Sequence, residues 1–255
     1  MALELWQPDF DFYLAHAEDQ LLSIFVDLGA LESAPVRSHP RCVHVRVRMQ
    51  NPLPNGLRAR EEMDALLRLE DAIRAELTSV DAVYVGRVVT SGLTDLVFYA
   101  GENALTEPNA LLERIASLLG SYQGEVDAEA DPEWAFYDEF LYPDAYNLQF
   151  IWNRRLVLQA TESGDVLHAE RPIDHVVLFD DDGPARQAAE SLSQSGFGIT
   201  GIDANEDGTW AVEFTRADVL ADNRMDEVLT EVLDIILPLG GEYDGWNADV
   251  VTLSG

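Results

Sequence analysis

The sequence predicts an α+β protein made of two ferredoxin-like units, each in the order β-α-β-β-α-β, with an antiparallel sheet carrying its helices on one face. Three observations predict it. One order of strand-like and helix-like segments occurs twice, from about Cys42 to Glu129 and again from about Ile173 to Thr252. Within those segments the apolar residues alternate as in strands or recur on one face as in helices. In both halves the second helix ends in a Leu-Gly step, Leu119-Gly120 and Leu239-Gly240, just ahead of the closing strand. The expected organisation is an α+β domain over 1–131, a helical, aromatic-rich bridge over 132–165 and a ferredoxin-like domain over 166–255.

The first elements are two short strands, Phe10 to Leu14 and Leu21 to Leu28, placed to extend the first sheet. Cys42 to Met49 sets Val43, Val45, Val47 and Met49 against Cys42, His44, Arg46 and Arg48, the alternation of a half-buried strand. A helix from Arg60 to Leu77 carries Met63, Leu66, Leu69, Ile73 and Leu77 on one face. Asp64/Arg68 and Glu70/Arg74 are expected as ion pairs on the other. Strands Ala82 to Thr90 and Leu93 to Ala100 follow. Thr106 and Pro108 then open a helix whose stripe is Leu111, Leu112, Ile115, Leu118 and Leu119. Tyr122 to Glu129 closes the half.

From Pro132 the pattern turns helical and aromatic, with Trp134, Phe136, Tyr137, Phe140, Tyr142, Tyr146, Phe150 and Trp152, and a helix begins near Pro143. The rest reads as strand Ile173 to Phe179, helix Pro184 to Ser195, strand Phe197 to Asp203, strand Thr209 to Thr215, helix Asn223 to Leu237 and strand Glu242 to Thr252. Asn205-Glu206-Asp207-Gly208 supplies the hairpin turn.

At 255 residues and 47% hydrophobic the chain can bury a substantial core, which argues against global disorder. Its 47 acidic residues against 16 basic ones, all arginine, leave a net charge of −31. Such a surface disfavours direct contact with a phosphate backbone. It either steers a basic protein partner or only maintains solubility. The opening Met1-Ala2-Leu3-Glu4 has no signal-peptide pattern and no run is long enough to span a membrane, so a cytoplasmic location is expected. The single Cys42 implies no disulfide and no zinc site.

The common catalytic templates are missing: there is no nucleophile elbow, phosphate-binding glycine loop or HExxH pair. No cofactor or metal is expected. Gly196-Phe197-Gly198 enters a strand and reads as a helix stop, and Asp180-Asp181-Asp182 as a solvated turn before a helix. His175 reads as a structural histidine, with general base as the alternative. Arg154-Arg155 either pairs with nearby carboxylates or recognises an acidic group.

The closing strand contains Gly241-Glu242-Tyr243-Asp244-Gly245-Trp246, which resembles the signature of the regulator of ribonuclease E activity B family. The similarity extends over about Arg171 to Val251, through Arg171-Pro172-Ile173-Asp174-His175 and the helix from Asn223. The first half, with Asn55-Gly56-Leu57, Glu61-Glu62, Glu70-Asp71, Val85-Gly86 and Phe98-Tyr99, is similar to an uncharacterised domain family found next to that one. The resemblance implies an acidic cytoplasmic protein that binds the noncatalytic scaffold of an endoribonuclease and inhibits RNA processing. On the residues alone, alternation sets Tyr243 and Trp246 on opposite strand faces, and Gly245 allows close approach of another group. Glu242, Tyr243, Asp244 and Trp246 are therefore the partner-binding candidates, with a basic protein as the partner. The alternative is an enzyme or small-ligand protein using a cleft between the units, with His175, Arg154 and Arg155 as its polar groups.

Overall fold

The computed structural model describes residues 5–17, 19–102 and 108–252. The chain divides into two compact units, Met1–Pro143 and Asp144–Gly255.

In the first unit, β1 (Phe10–Ala17), β2 (Gln20–Asp27), β3 (Arg41–Arg48), β4 (Ala82–Thr90), β5 (Leu93–Ala100) and β6 (Gln123–Ala130) form one sheet in the order β1-β2-β4-β5-β3-β6. Every pairing is antiparallel. Strands β3 to β6 have the ferredoxin-like arrangement, and β1 and β2 extend it beyond β4, as the sequence predicts. Helices α1 (Arg60–Thr78) and α2 (Pro108–Leu119) complete the unit. Val43, Val45 and Val47 of β3 meet Leu66, Ile73 and Leu77 of α1 and Ile115 of α2 in the core. The cap expected at Thr106 and the side chains of Leu111 and Leu112 lie outside the described residues.

Two expectations for this unit are corrected. Glu70 does not pair with Arg74 on a solvated face. It turns inward, accepts from Arg58 at 3.1 Å, Arg87 at 2.8 Å and the Tyr84 hydroxyl at 2.8 Å, and is buried. Burial opposes its charge, but the Arg87 and Arg58 guanidiniums hold the carboxyl below its ordinary range. Arg74 instead lies 4.4 Å over the Tyr84 ring.

Strand β3, expected to be half-buried, is covered on both faces. Cys42 and His44, opposite its valines, are buried as well. On this second side Trp134 stacks on Tyr99 with centroids 3.9 Å apart and donates its indole N–H to the His39 carbonyl at 2.8 Å. The Tyr137 hydroxyl donates to the Asp27 carbonyl at 2.7 Å, from a single π-helical turn at Tyr137–Leu141. The aromatic residues expected to form a bridge thus divide, those through Tyr142 packing in the first unit.

The second unit opens with α3 (Ala145–Glu162), whose N-terminus is capped by Asp144 accepting from the Asn147 N–H. It continues with β7 (Arg171–Phe179), α4 (Asp182–Gln194), β8 (Gly198–Ala204), β9 (Trp210–Asp218), α5 (Arg224–Ile236) and β10 (Glu242–Asn247). The sheet order is β10-β7-β9-β8, all antiparallel, which is the ferredoxin-like order with β10 at an edge. Strand β10 ends at Asn247, short of the Thr252 expected. The α5 stripe of Met225, Val228, Leu229, Val232, Leu233 and Ile236 is buried as its periodicity predicts. Gly241 is obligatory, since a Cβ there would stand 2.5 Å from the Phe179 ring.

Helix α3 has no counterpart in the β-α-β-β-α-β order. It lies beside α5, where the Tyr146 hydroxyl donates to Asp234 at 2.7 Å and the Asn153 amide donates to Asp226.

Candidate functional site: a groove between a helix and an edge strand

Strand β10 carries a bulge. Tyr243 faces Val177 and Trp246 faces His175, with the register shifting between Tyr243 and Gly245. Val177 and His175 lie two apart on β7 and both point into the core. The bulge at Asp244 therefore sets Tyr243 and Trp246 on the same face, correcting the expectation of opposite faces. Gly245 is needed for its backbone, with φ at +141°, and not for close approach: a Cβ there would meet nothing within 4 Å.

Tyr243 is only 4% exposed and Trp246 half-buried. The Tyr243 hydroxyl lies 2.7 Å from His175 Nδ1, and Trp246 donates its indole N–H to Asn153 of α3 at 3.1 Å. Gln149 of α3 donates to the Tyr243 carbonyl at 3.0 Å. These bonds hold α3 along the edge strand, and between the two runs a groove of about 320 Å³. Its walls are Leu148, Gln149, Trp152, Asn153 and Leu156 of α3, its floor includes Leu229 of α5, and its other side is Glu242 through Trp246. Glu242 and Asp244 are exposed, and Trp152 and Leu156 are the exposed apolar residues of the helix side.

The structure thus gathers the four partner-binding candidates around one groove, with different parts: Glu242 and Asp244 supply charge, Trp246 a partly accessible ring, and Tyr243 the interior support. Sequence reasoning missed Leu148, Trp152 and Leu156. Their signal is present, since positions four apart share a helix face, but Trp152 also falls within the aromatic run that begins at Trp134.

The cleft candidates are not brought together. His175 is 1% exposed, stacked on Phe214 in the second unit's core. Burial, and then the Arg216 charge, push its pKa down to about 4, so it is neutral near neutrality. Arg154 lines a separate, mostly apolar depression of about 380 Å³ with Val157, Leu167, His168 and Asp222, within the second unit. Arg155 lies 4.6 Å over the Trp152 ring.

One further constellation escaped the sequence. In the first unit Cys42 Sγ lies 3.4 Å from His44 Nε2, and His44 Nδ1 lies 2.9 Å from Asp95. The order is that of an activated nucleophile, but its environment is not. Cys42 is fully buried, the Phe136 ring packs edge-on against His44, and burial pushes the thiol up to about 12. A thiol so placed stays protonated and closed to substrate.

Two ferredoxin-like units, the second with a helix laid along its edge strand, define a two-module α+β protein. The chain belongs to the family described as "Family of unknown function (DUF695)", whose model matches residues 8–142. Residues 151–248 match the family model described as "Regulator of ribonuclease activity B", a span that includes the groove residues Trp152, Asn153 and Leu156 together with β10. No curated protein matches the chain. Two solved structures resemble it weakly. One is described as a proposed glycine cleavage system transcriptional repressor, 12% identical, covering 83% of this chain and 98% of that one at a TM-score of 0.26. The other is an unknown protein from Galdieria sulphuraria, 10% identical, covering 84% and 99% at a TM-score of 0.23. Neither bears on function at these scores. Among the described residues, no helix is long and apolar enough to cross a membrane.

Proposed function

We propose that this chain is a non-catalytic regulator of ribonuclease activity that binds a basic protein, the scaffold region of an endoribonuclease or of its RNA-processing complex, through its second unit. The observation that carries the reading is the match of residues 151–248 to the regulator of ribonuclease activity B. The groove between α3 and β10 supports it, because Glu242 and Asp244 there present uncompensated charge beside exposed apolar side chains. The net charge of −31 favours a basic partner and disfavours direct RNA binding. The closed setting of Cys42 and the burial of His175 remove the two groups best suited to catalysis.

The test is capture from extract of the source organism with the full chain immobilised, followed by mass spectrometry. A ribonuclease or a component of its complex is expected in low salt and is lost in high salt. Absence of any ribonuclease component at both salt concentrations contradicts the proposal. A second reading, small-ligand binding, draws on the depression beside Arg154, whose size falls within that of small-molecule sites. Ligand-dependent stabilisation that is lost in Arg154→Ala would favour it.

A further inference from the structure

We infer that the groove between α3 and β10 is an arginine-selective subsite: it takes one guanidinium of an extended basic segment, stacked against the Trp152 ring and neutralised by Glu242 and Asp244. This rests on the reading of the chain as a protein-binding regulator and adds to it the chemistry of the recognised group.

Charge and shape carry the inference together. Among the described residues neither the Glu242 nor the Asp244 carboxylate has an ion-pair or hydrogen-bond partner, although most basic side chains of the second unit are engaged with carboxylates. Both acids border the same groove as Trp152 and Trp246. Asp244 owes its place to the bulge, which takes it out of the strand ladder. The helix side supplies a flat aromatic surface: Trp152 is 39% exposed, and the Arg155 guanidinium 4.6 Å over its ring shows that this indole already accepts a planar cation. Trp246 cannot turn away, since its N–H is held by Asn153, itself held by Asp226.

A guanidinium fits this setting better than an ammonium. It stacks on an indole and donates in a fixed fork toward carboxylates, whereas lysine is a strongly hydrated point charge. An acidic surface alone would attract both equally. Selectivity is therefore the property that separates a built subsite from general acidity.

The experiment titrates the full-length chain at physiological salt with a short arginine-rich peptide and with its lysine counterpart of equal charge, by calorimetry and indole fluorescence. The arginine peptide is expected to bind about ten-fold more tightly. Trp152→Ala should erase that preference and Trp152→Phe should restore part of it; the ring is only 39% exposed, so thermal unfolding of both variants is recorded beside the titrations to separate lost packing from lost recognition. Glu242→Gln with Asp244→Asn should weaken both peptides. Equal affinity for the two peptides, or a preference that survives Trp152→Ala, overturns the inference. If the peptides are not discriminated while a ribonuclease component is still captured, the subsite falls and the regulator reading stands.

Discussion

His175 Nδ1 and the Tyr243 hydroxyl lie 2.7 Å apart in the interior of the second unit, joining β7 to the edge strand β10 beneath the candidate groove. The pair fixes the strand that presents Glu242 and Asp244. Because the imidazole is buried against Phe214 and Phe197, it is neutral in the folded state.

That neutrality makes stability depend on acid. The folded pKa of His175 is about 4, below the 6.5 of an unfolded histidine, so its contribution is full above pH 6.5 and is lost as pH falls toward 4. The difference corresponds to about 3 kcal/mol. Titration followed by NMR should show the His175 ring protonating only near pH 4; a midpoint at or above 6.5 contradicts the assignment.

Trp246 and Asp244 should separate folding from binding. Trp246 packs against two core clusters and bonds to Asn153, so Trp246→Ala is expected to cost about 2 to 3 kcal/mol in urea unfolding. Asp244→Asn, at an exposed bulge, should leave stability within about 0.5 kcal/mol and weaken partner binding. A stable Trp246→Ala variant would show that the ring is not part of the support.

Glu70 is the carboxylate shared by Arg58 and Arg87 in the first unit's interior. Glu70→Gln leaves both guanidiniums without their carboxylate and is expected to destabilise that unit by about 3 to 5 kcal/mol in denaturant unfolding. A change below about 1 kcal/mol would mean that these arginines find other partners.

Cys42 should resist iodoacetamide at neutral pH in the folded protein and react freely in denaturant, because its thiol is closed off and its pKa is pushed up to about 12. Rapid native-state alkylation, followed by intact mass, would reopen the case for a nucleophile.

The architecture was legible because its signals are local. The alternation of Val43, Val45 and Val47 and the α5 stripe from Met225 to Ile236 report which side of each element is buried. The bulge at Asp244 was not legible, because one residue leaving the ladder reverses the facing of everything beyond it without disturbing composition. Glu70 misled for a related reason: a carboxylate reads as solvated until two arginines and a tyrosine distant in sequence arrive to bury it. Of the candidate site, the β10 residues were visible in the hexapeptide. The α3 side was hidden because Leu148, Trp152 and Leu156 gain meaning only when the helix lies against that strand.

The central claim is regulation of a ribonuclease by binding. The most direct measurement is the initial rate at which the ribonuclease recovered from the source organism, with its scaffold region intact, cleaves a structured RNA as this chain is titrated in. The rate should fall saturably, and the inhibition should weaken in the Glu242→Gln, Asp244→Asn double variant and at high salt. A cleavage rate unchanged at saturating concentrations of the native chain would contradict the claim.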